Sequence, residues 1–371
     1  MHTRLEADRC SFTNEPVEWS TDIYENARGQ MRSFVEARSD VEALYEYGTV
    51  HAPGISDIDF MLVISPSPQS DISEYFSPKN IPLLVQEVMN TGTMMVMKTT
   101  DFVQLSRWEE ITVRLVEGKS LELLEIGDEE RHWTDICSVI DWIPERCSRL
   151  VEIFVSQVIP VRRSIAYLFS LTYSLKLLEH LSHSSHANWD DFIAEVELMR
   201  SSWFQNDRES MHERLIELLW RGLNLSLEAL MEFGEYCVSR GYYSSVSFNG
   251  PKSLNLGSDR RLDFVDNSDV YPDYALSQSE PALIVVPVPA LFYNHFAVYG
   301  LVGGMIGSTL AQHLTPRPRK DAMCGMPNLL VDVLTKRVQH CNSMAEFLHR
   351  NSFRSGMYRL GWFYLPQHSN G

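Results

Sequence analysis

The sequence predicts an α/β domain followed by a mainly helical domain and a C-terminal α/β or helical segment. Three observations lead there. Strand-like and helix-like stretches alternate to about residue 130, the pattern of a sheet covered by helices. From 143 to about 240 the apolar residues recur with helical period. The chain has 371 residues, more than one ordinary core accommodates, and its last ninety open on an apolar run.

Residues 17–38, "VEWSTDIYENARGQMRSFVEAR", read as an amphipathic helix. "ALYEYG" (43–48) is a short strand. "DIDFMLVIS" (57–65) is a second strand, whose solid apolar tail suits burial on both faces. After turn material, "NIPLLVQEVMNTG" is a helix ending near Gly92, "TMMVMK" a strand, and "TDFVQLSRWEE" a short helix capped by Thr100 or Asp101. "ITVRLVEGKSLELLEI" reads as two strands around a Gly118-Lys119 turn. In the helical region "CSRLVEIFVSQVI" stops at Pro160. "VRRSIAYLFSLTYSLKLLEHL", "FIAEVELMRSSWF" and the long "RESMHERLIELLWRGLNLSLEALMEFGEYCVSRG" follow. The expected divisions are 1–135 for the α/β domain and 140–241 for the helical domain. A loop or lid rich in Ser, Asn, Asp, Gly and Pro follows at 242–280, then a region at 281–371 that packs on the helical domain. That last region begins with a buried strand, "LIVVPV", and a buried helix over 290–314.

Composition narrows the function classes. Apolar residues are 44% and charged residues 22%, as in a folded, non-disordered protein. The formal charge is −17, so a nucleic acid would be repelled by most of the surface, and the basic residues are scattered. A small molecule or a protein is the favoured partner. The six cysteines lie far apart without metal-ligand spacing, as expected of free thiols in a reducing compartment. The N-terminal stretch has no apolar core, so no secretory signal is expected there. Residues 281–316 lack Asp, Glu, Lys and Arg and are long enough to cross a bilayer. Pro287, Pro289, Asn294, His295 and Gln312 interrupt them, so a core strand and helix are expected and no membrane span. A soluble, cytoplasmic chain is the expectation.

The chemistry concentrates in "YEYGTVHAPGISDIDFMLVIS", residues 45–65. On a strand, Asp57 and Asp59 share one face, roughly 6.6 Å apart, while Ile58 and Phe60 enter the core. Carboxylates so placed hold hard cations through oxygen. Two magnesium ions about 3.5–4 Å apart can then grip the attacking oxygen, the α-phosphate and the leaving pyrophosphate of a nucleotide. Gly48 allows close backbone approach to phosphate. Thr49 adds a hydroxyl and an N–H.

These residues resemble the nucleotidyltransferase superfamily with the DNA polymerase β-like fold. Its signature is a Gly-Ser pair, a short spacer, and an Asp-x-Asp opening a hydrophobic strand. Here the match is Gly48-Thr49, "VHAPGIS", then Asp57-Ile58-Asp59 and "FMLVI", within a resemblance covering about residues 40–130. Thr49 replaces the serine and the spacer is short. The resemblance implies a nucleotidyltransferase-type α/β domain with a mixed sheet. It also implies two magnesium ions (with manganese as a substitute) and an NTP substrate. Asp57 and Asp59 would be metal ligands, and Gly48, Thr49 and Ser56 would line the nucleotide. The family's third carboxylate, catalytic and metal-binding, has its first match in Glu122, then Glu125 and Asp101. In relatives a helix lysine reaches the triphosphate, which makes Lys176 a candidate. A position on the solvated stripe is the plainer expectation for it. Arg162 and Arg163, at a helix start, are further candidates for triphosphate or acceptor, with surface ion pairs the plainer role.

Other patterns carry less. His180, His183 and His186 surround a Ser-rich turn and fit a solvated helix end better than a metal site. "GLVGGMIG" lacks the G-x-G of a dinucleotide loop. The expected activity is transfer of a nucleoside monophosphate from an NTP to an acceptor hydroxyl, on a small molecule or protein, releasing pyrophosphate. One alternative is a non-catalytic nucleotide-binding or partner protein on the same fold. A metal-dependent glycosyltransferase ranks below it, because only 56 residues precede the Asp-x-Asp.

Overall fold

The computed structural model describes residues 9–67, 80–89, 95–107, 112–240, 252–256, 262–266 and 285–288, with short helical pieces at 328–329, 332–333 and 335–336. In chain order the elements begin with strand β1 (Ser11–Thr13), helix α1 (Thr21–Glu36), β2 (Val41–Tyr47) and β3 (Asp59–Ile64). Helix α2 (Leu83–Met89), β4 (Met95–Lys98), the single turn α3 (Thr99–Phe102) and β5 (Val113–Gly118) complete the α/β part. Then come α4 (Asp128–Ser156), β6 (Val158–Pro160), α5 (Val161–Ser182), α6 (Ala187–Ser202) and α7 (Arg208–Ser239). Strands β7 (Lys252–Leu256), β8 (Leu262–Asp266) and β9 (Val285–Val288) follow.

The N-terminal sheet is mixed, with order β4-β3-β2-β5. β2 runs antiparallel to both β3 and β5, and β3 runs parallel to β4. Its apolar strand residues from Phe60 to Ile64 are fully buried, as the unbroken apolar tail predicts. Helix α1 contributes Tyr24, Ala27, Met31 and Val35 at helical spacing to the same core.

The helices α4 to α7 form a second core, in which α5 packs against α4, α6 and α7. Helix α4 starts at Asp128, inside the range assigned to the α/β domain. Its acidic first turn, Asp128, Glu129 and Glu130, faces the positive end of the helix dipole. The helical run stops at Ser156, short of the expected break at Pro160: Gln157 caps α4 in the left-handed region, Val158–Pro160 form β6, and Pro160 stands at the N-cap of α5.

Two further expectations change. The second strand after Gly118 does not form: residues 119–126 run without regular structure, with Leu121 N–H donating to the Tyr45 hydroxyl and Leu124 N–H to the Val103 carbonyl. The stretch read as a loop or lid contains β7 and β8. β7 pairs antiparallel with β8 and with β9, the strand foreseen in "LIVVPV". The helix expected over 290–314 lies outside the described residues. Among the described residues no helix is long and apolar enough to cross a membrane.

Candidate functional site

The register of the sheet assembles the motif. Tyr47, the last residue of β2, pairs with Asp59, the first of β3, and with Val113, the first of β5. The turn that begins at Gly48 and the Asp-x-Asp therefore meet at one end of the sheet. Gly48 has φ +73° and open space where a Cβ would stand. Its N–H is already spent on the Thr112 carbonyl, 3.0 Å away. What it leaves free is room, not a donor. Thr49 and His51 are exposed beside it, with Thr49 Oγ1 2.6 Å from His51 Nε2.

The loop before the aspartates is anchored in both cores. Ile55 packs among the helices and Ile58 in the α/β core, with Asp57 between them. Gly54 has φ +84°, and a Cβ there would come within 2.0 Å of the Val17 carbonyl oxygen, so only glycine fits. The Tyr24 hydroxyl accepts from Gly54 N–H (2.9 Å) and donates to the Ser56 carbonyl (2.7 Å). Burial raises this phenol's pKa, the Gly54 hydrogen bond works against that, and nearby Asp57 adds to it.

Arg162, only 4% exposed, donates to four main-chain carbonyls: Ile55 (3.1 Å), Ser56 (2.9 Å), Glu87 (2.9 Å) and Val88 (3.1 Å). The last two belong to the C-terminal turn of α2, where a cation is favoured. Burial lowers the Arg162 pKa, and Asp57 and Tyr24 oppose that shift. Arg162 is thus neither a triphosphate ligand nor a surface ion pair. It is the joint between the helices and the aspartate loop. Ser56, expected on the nucleotide, is buried, and its Oγ accepts from Ala52 N–H (3.1 Å) and Arg200 Nη2 (2.9 Å).

Asp57 and Asp59 are both partly exposed and flank the buried Ile58. Asp57 precedes β3, so strand alternation does not set its direction. It lies within electrostatic reach of Tyr24, Arg162 and Arg200. On the other face of the sheet, buried Glu46 holds Arg28 (2.6 and 2.7 Å) and Arg114. Burial pushes the Glu46 carboxyl up, but the two guanidiniums hold it below its ordinary range.

The three candidates for a third carboxylate are not brought to this end. β5 runs away from the motif, from Val113 opposite Tyr47 to Gly118 opposite Ala43. Glu122 and Glu125 therefore follow beyond the far edge of the sheet, both exposed. Asp101 follows β4, whose last residue Lys98 pairs with Ile64 at the far end of β3. It is buried 3.9 Å from Lys98, and burial raises its pKa to about 7. Lys176 pairs with Glu197 at 3.4 Å, half exposed, fourteen residues along α5 from Arg162, about 21 Å. His186 reaches Glu232 (2.8 Å), which joins the α5–α6 turn to α7. Among the described residues no three His, Cys, Asp or Glu side chains gather as a metal site. The Asp57/Asp59 pair suits magnesium all the same, because this ion takes one or two carboxylates and completes its shell with water and phosphate oxygens.

Arg200 escaped the sequence reading. Its signal was a charge on the apolar stripe Val196, Met199, Arg200, Trp203 of "VELMRSSWF", whose other members are buried. Comparison with protein-family models, curated proteins and solved structures finds no match to this chain.

Proposed function

We propose that the chain binds a nucleoside triphosphate with magnesium at the Gly48 turn and transfers its nucleoside monophosphate to an acceptor hydroxyl, releasing pyrophosphate. The observation that carries this reading is the register Tyr47–Asp59, which sets an open glycine turn beside paired carboxylates at one sheet end. Asp57 and Asp59 would hold the metal, which neutralises phosphate charge and polarises the α-phosphorus. Thr49 offers its hydroxyl to a phosphate oxygen, and the space beside Gly48 admits the chain of phosphates. The surface charge of −17 favours a small molecule or a protein side chain as acceptor.

The test is a thermal-shift screen of the four NTPs with magnesium, paired with an assay for pyrophosphate. At least one NTP stabilises the wild-type protein in a magnesium-dependent way, and the Asp57→Asn/Asp59→Asn double variant loses the effect. A wild-type protein indifferent to all four NTPs refutes the reading.

A second reading, a nucleotide-binding protein without turnover, is favoured by one observation. Glu122, the first candidate for a third carboxylate, follows the far end of β5. NTP stabilisation without pyrophosphate release, in the presence of candidate acceptors, selects it.

A further inference from the structure

Two arginines of the helical part touch the aspartate loop, and they differ in what remains of their donors. Arg162 has four carbonyl partners. Arg200 is 9% exposed, yet among the described residues its one hydrogen bond goes to Ser56 Oγ and no carboxylate lies within ion-pair distance. A largely desolvated guanidinium whose N–H groups are mostly unspent on protein is well placed to donate to an anion that reaches it. None of those remaining nitrogens is sealed from solvent. Burial lowers the Arg200 pKa, and Tyr173, Asp57 and Glu197 counter that.

The guanidinium also sits over an aromatic ring, with its carbon 3.3 Å from the Phe169 centroid. Phe169 in turn meets Tyr173 edge to face at 5.0 Å and 74°. Tyr173 is one helical turn further along α5 and 51% exposed. Asp57 loop, cation, ring and exposed ring thus form one continuous path of short contacts. An anion near Asp57 and a planar aromatic group on Tyr173 would complete it, and a nucleotide carries both.

We propose that Arg200, Phe169 and Tyr173 form a nucleotide subsite on α5 and α6, where Arg200 donates to a phosphate and the exposed Tyr173 ring stacks the base. This rests on the proposed function and adds what it lacks, a seat for the base. It also replaces Lys176 as the cation that the helical part supplies.

The experiment is calorimetric titration of the full chain, with magnesium, using the NTP that stabilises it best and, separately, inorganic tripolyphosphate. Tyr173→Ala weakens NTP binding about tenfold, the worth of one base stacked on an aromatic ring, and leaves tripolyphosphate unchanged. Tyr173→Phe restores the NTP affinity. Arg200→Lys weakens both ligands. Because Arg200 also braces Ser56, the exposed Tyr173 carries the decision if the Arg200 variant does not fold. NTP affinity in Tyr173→Ala equal to wild type overturns the subsite while the proposed function stands. A wild-type chain that binds neither ligand overturns both. Loss of NTP binding in Tyr173→Ala alongside full binding in Asp57→Asn/Asp59→Asn keeps the subsite and removes the metal pair from it.

Discussion

Replacing Arg162 by Met should loosen the joint between the two cores. Four carbonyls lose a donor, two in the aspartate loop and two at the end of α2, but Ser56 keeps the Tyr24 hydroxyl and Val88 keeps the Ile58 N–H, so the loss falls on Ile55 and Glu87. Each buried acceptor left unpaired costs about 1–3 kcal/mol. Part of this is recovered, because a guanidinium no longer has to be desolvated and the methionine keeps some packing against Trp19, 4.8 Å from the guanidinium carbon. The net loss should be about 2–4 kcal/mol, two unpaired acceptors less the part recovered. With a urea slope of about 3 kcal/mol per molar, the unfolding midpoint falls by roughly 0.7–1.3 M. Urea titration followed by tryptophan fluorescence reads this, since Trp133, Trp189 and Trp203 lie in the helical core and Trp19 beside the joint. Arg162→Lys, which keeps the charge but reaches fewer carbonyls, should fall between. A Met variant within 1 kcal/mol of wild type would show that the carbonyls find water or each other, and the joint would not be a joint.

Gly54→Ala meets both a left-handed φ and the Val17 carbonyl at 2.0 Å, and should cost about 3 kcal/mol or more. Gly48→Ala meets only its φ and should cost about 1 kcal/mol, so thermal melts of the two variants should separate clearly. Asp101 has a folded pKa of about 7, above its ordinary 3.8, so its protonated form stabilises the fold at low pH. That contribution is fully present below about 4 and is lost as pH rises to about 7. Asp101→Asn should therefore gain on wild type by at most about 4 kcal/mol between pH 4 and pH 8, read by urea midpoints at both. Lys176→Ala should change stability by less than about 0.5 kcal/mol and NTP affinity not at all, because its partner Glu197 is half exposed.

Much of the fold was legible because it rests on periodicity. The apolar run after Asp59 and the stripe of α1 specified buried faces without help from distant residues. The meeting of Gly48 with the aspartates was legible too, since an antiparallel pair joined by a short loop returns to the same end. Glu122 was misplaced because its candidacy depended on a second strand after Gly118, and the chain instead follows the Tyr45 hydroxyl and the Val103 carbonyl. Nothing local in "SLELLEI" encodes that choice. Arg162 and Arg200 were hidden for another reason. Their partners are 107 and 144 positions away, and a cation that binds main-chain carbonyls or a serine hydroxyl leaves no complementary acid in the sequence to find.

The pairing of β1 with β6 has a consequence for how the molecule is made. Ser11 and Val158 are neighbours in a parallel ladder although 147 positions separate them. On the ribosome the first strand emerges long before its mate, and must wait unpaired while the sheet and α4 are synthesised. Asn14, just after that strand, then accepts from the first amides of α5 with its main-chain and side-chain oxygens. A tag or trimming event near residue 11 would thus be felt at the start of α5, where Arg162 resides, rather than in the sheet that the N-terminal residues precede.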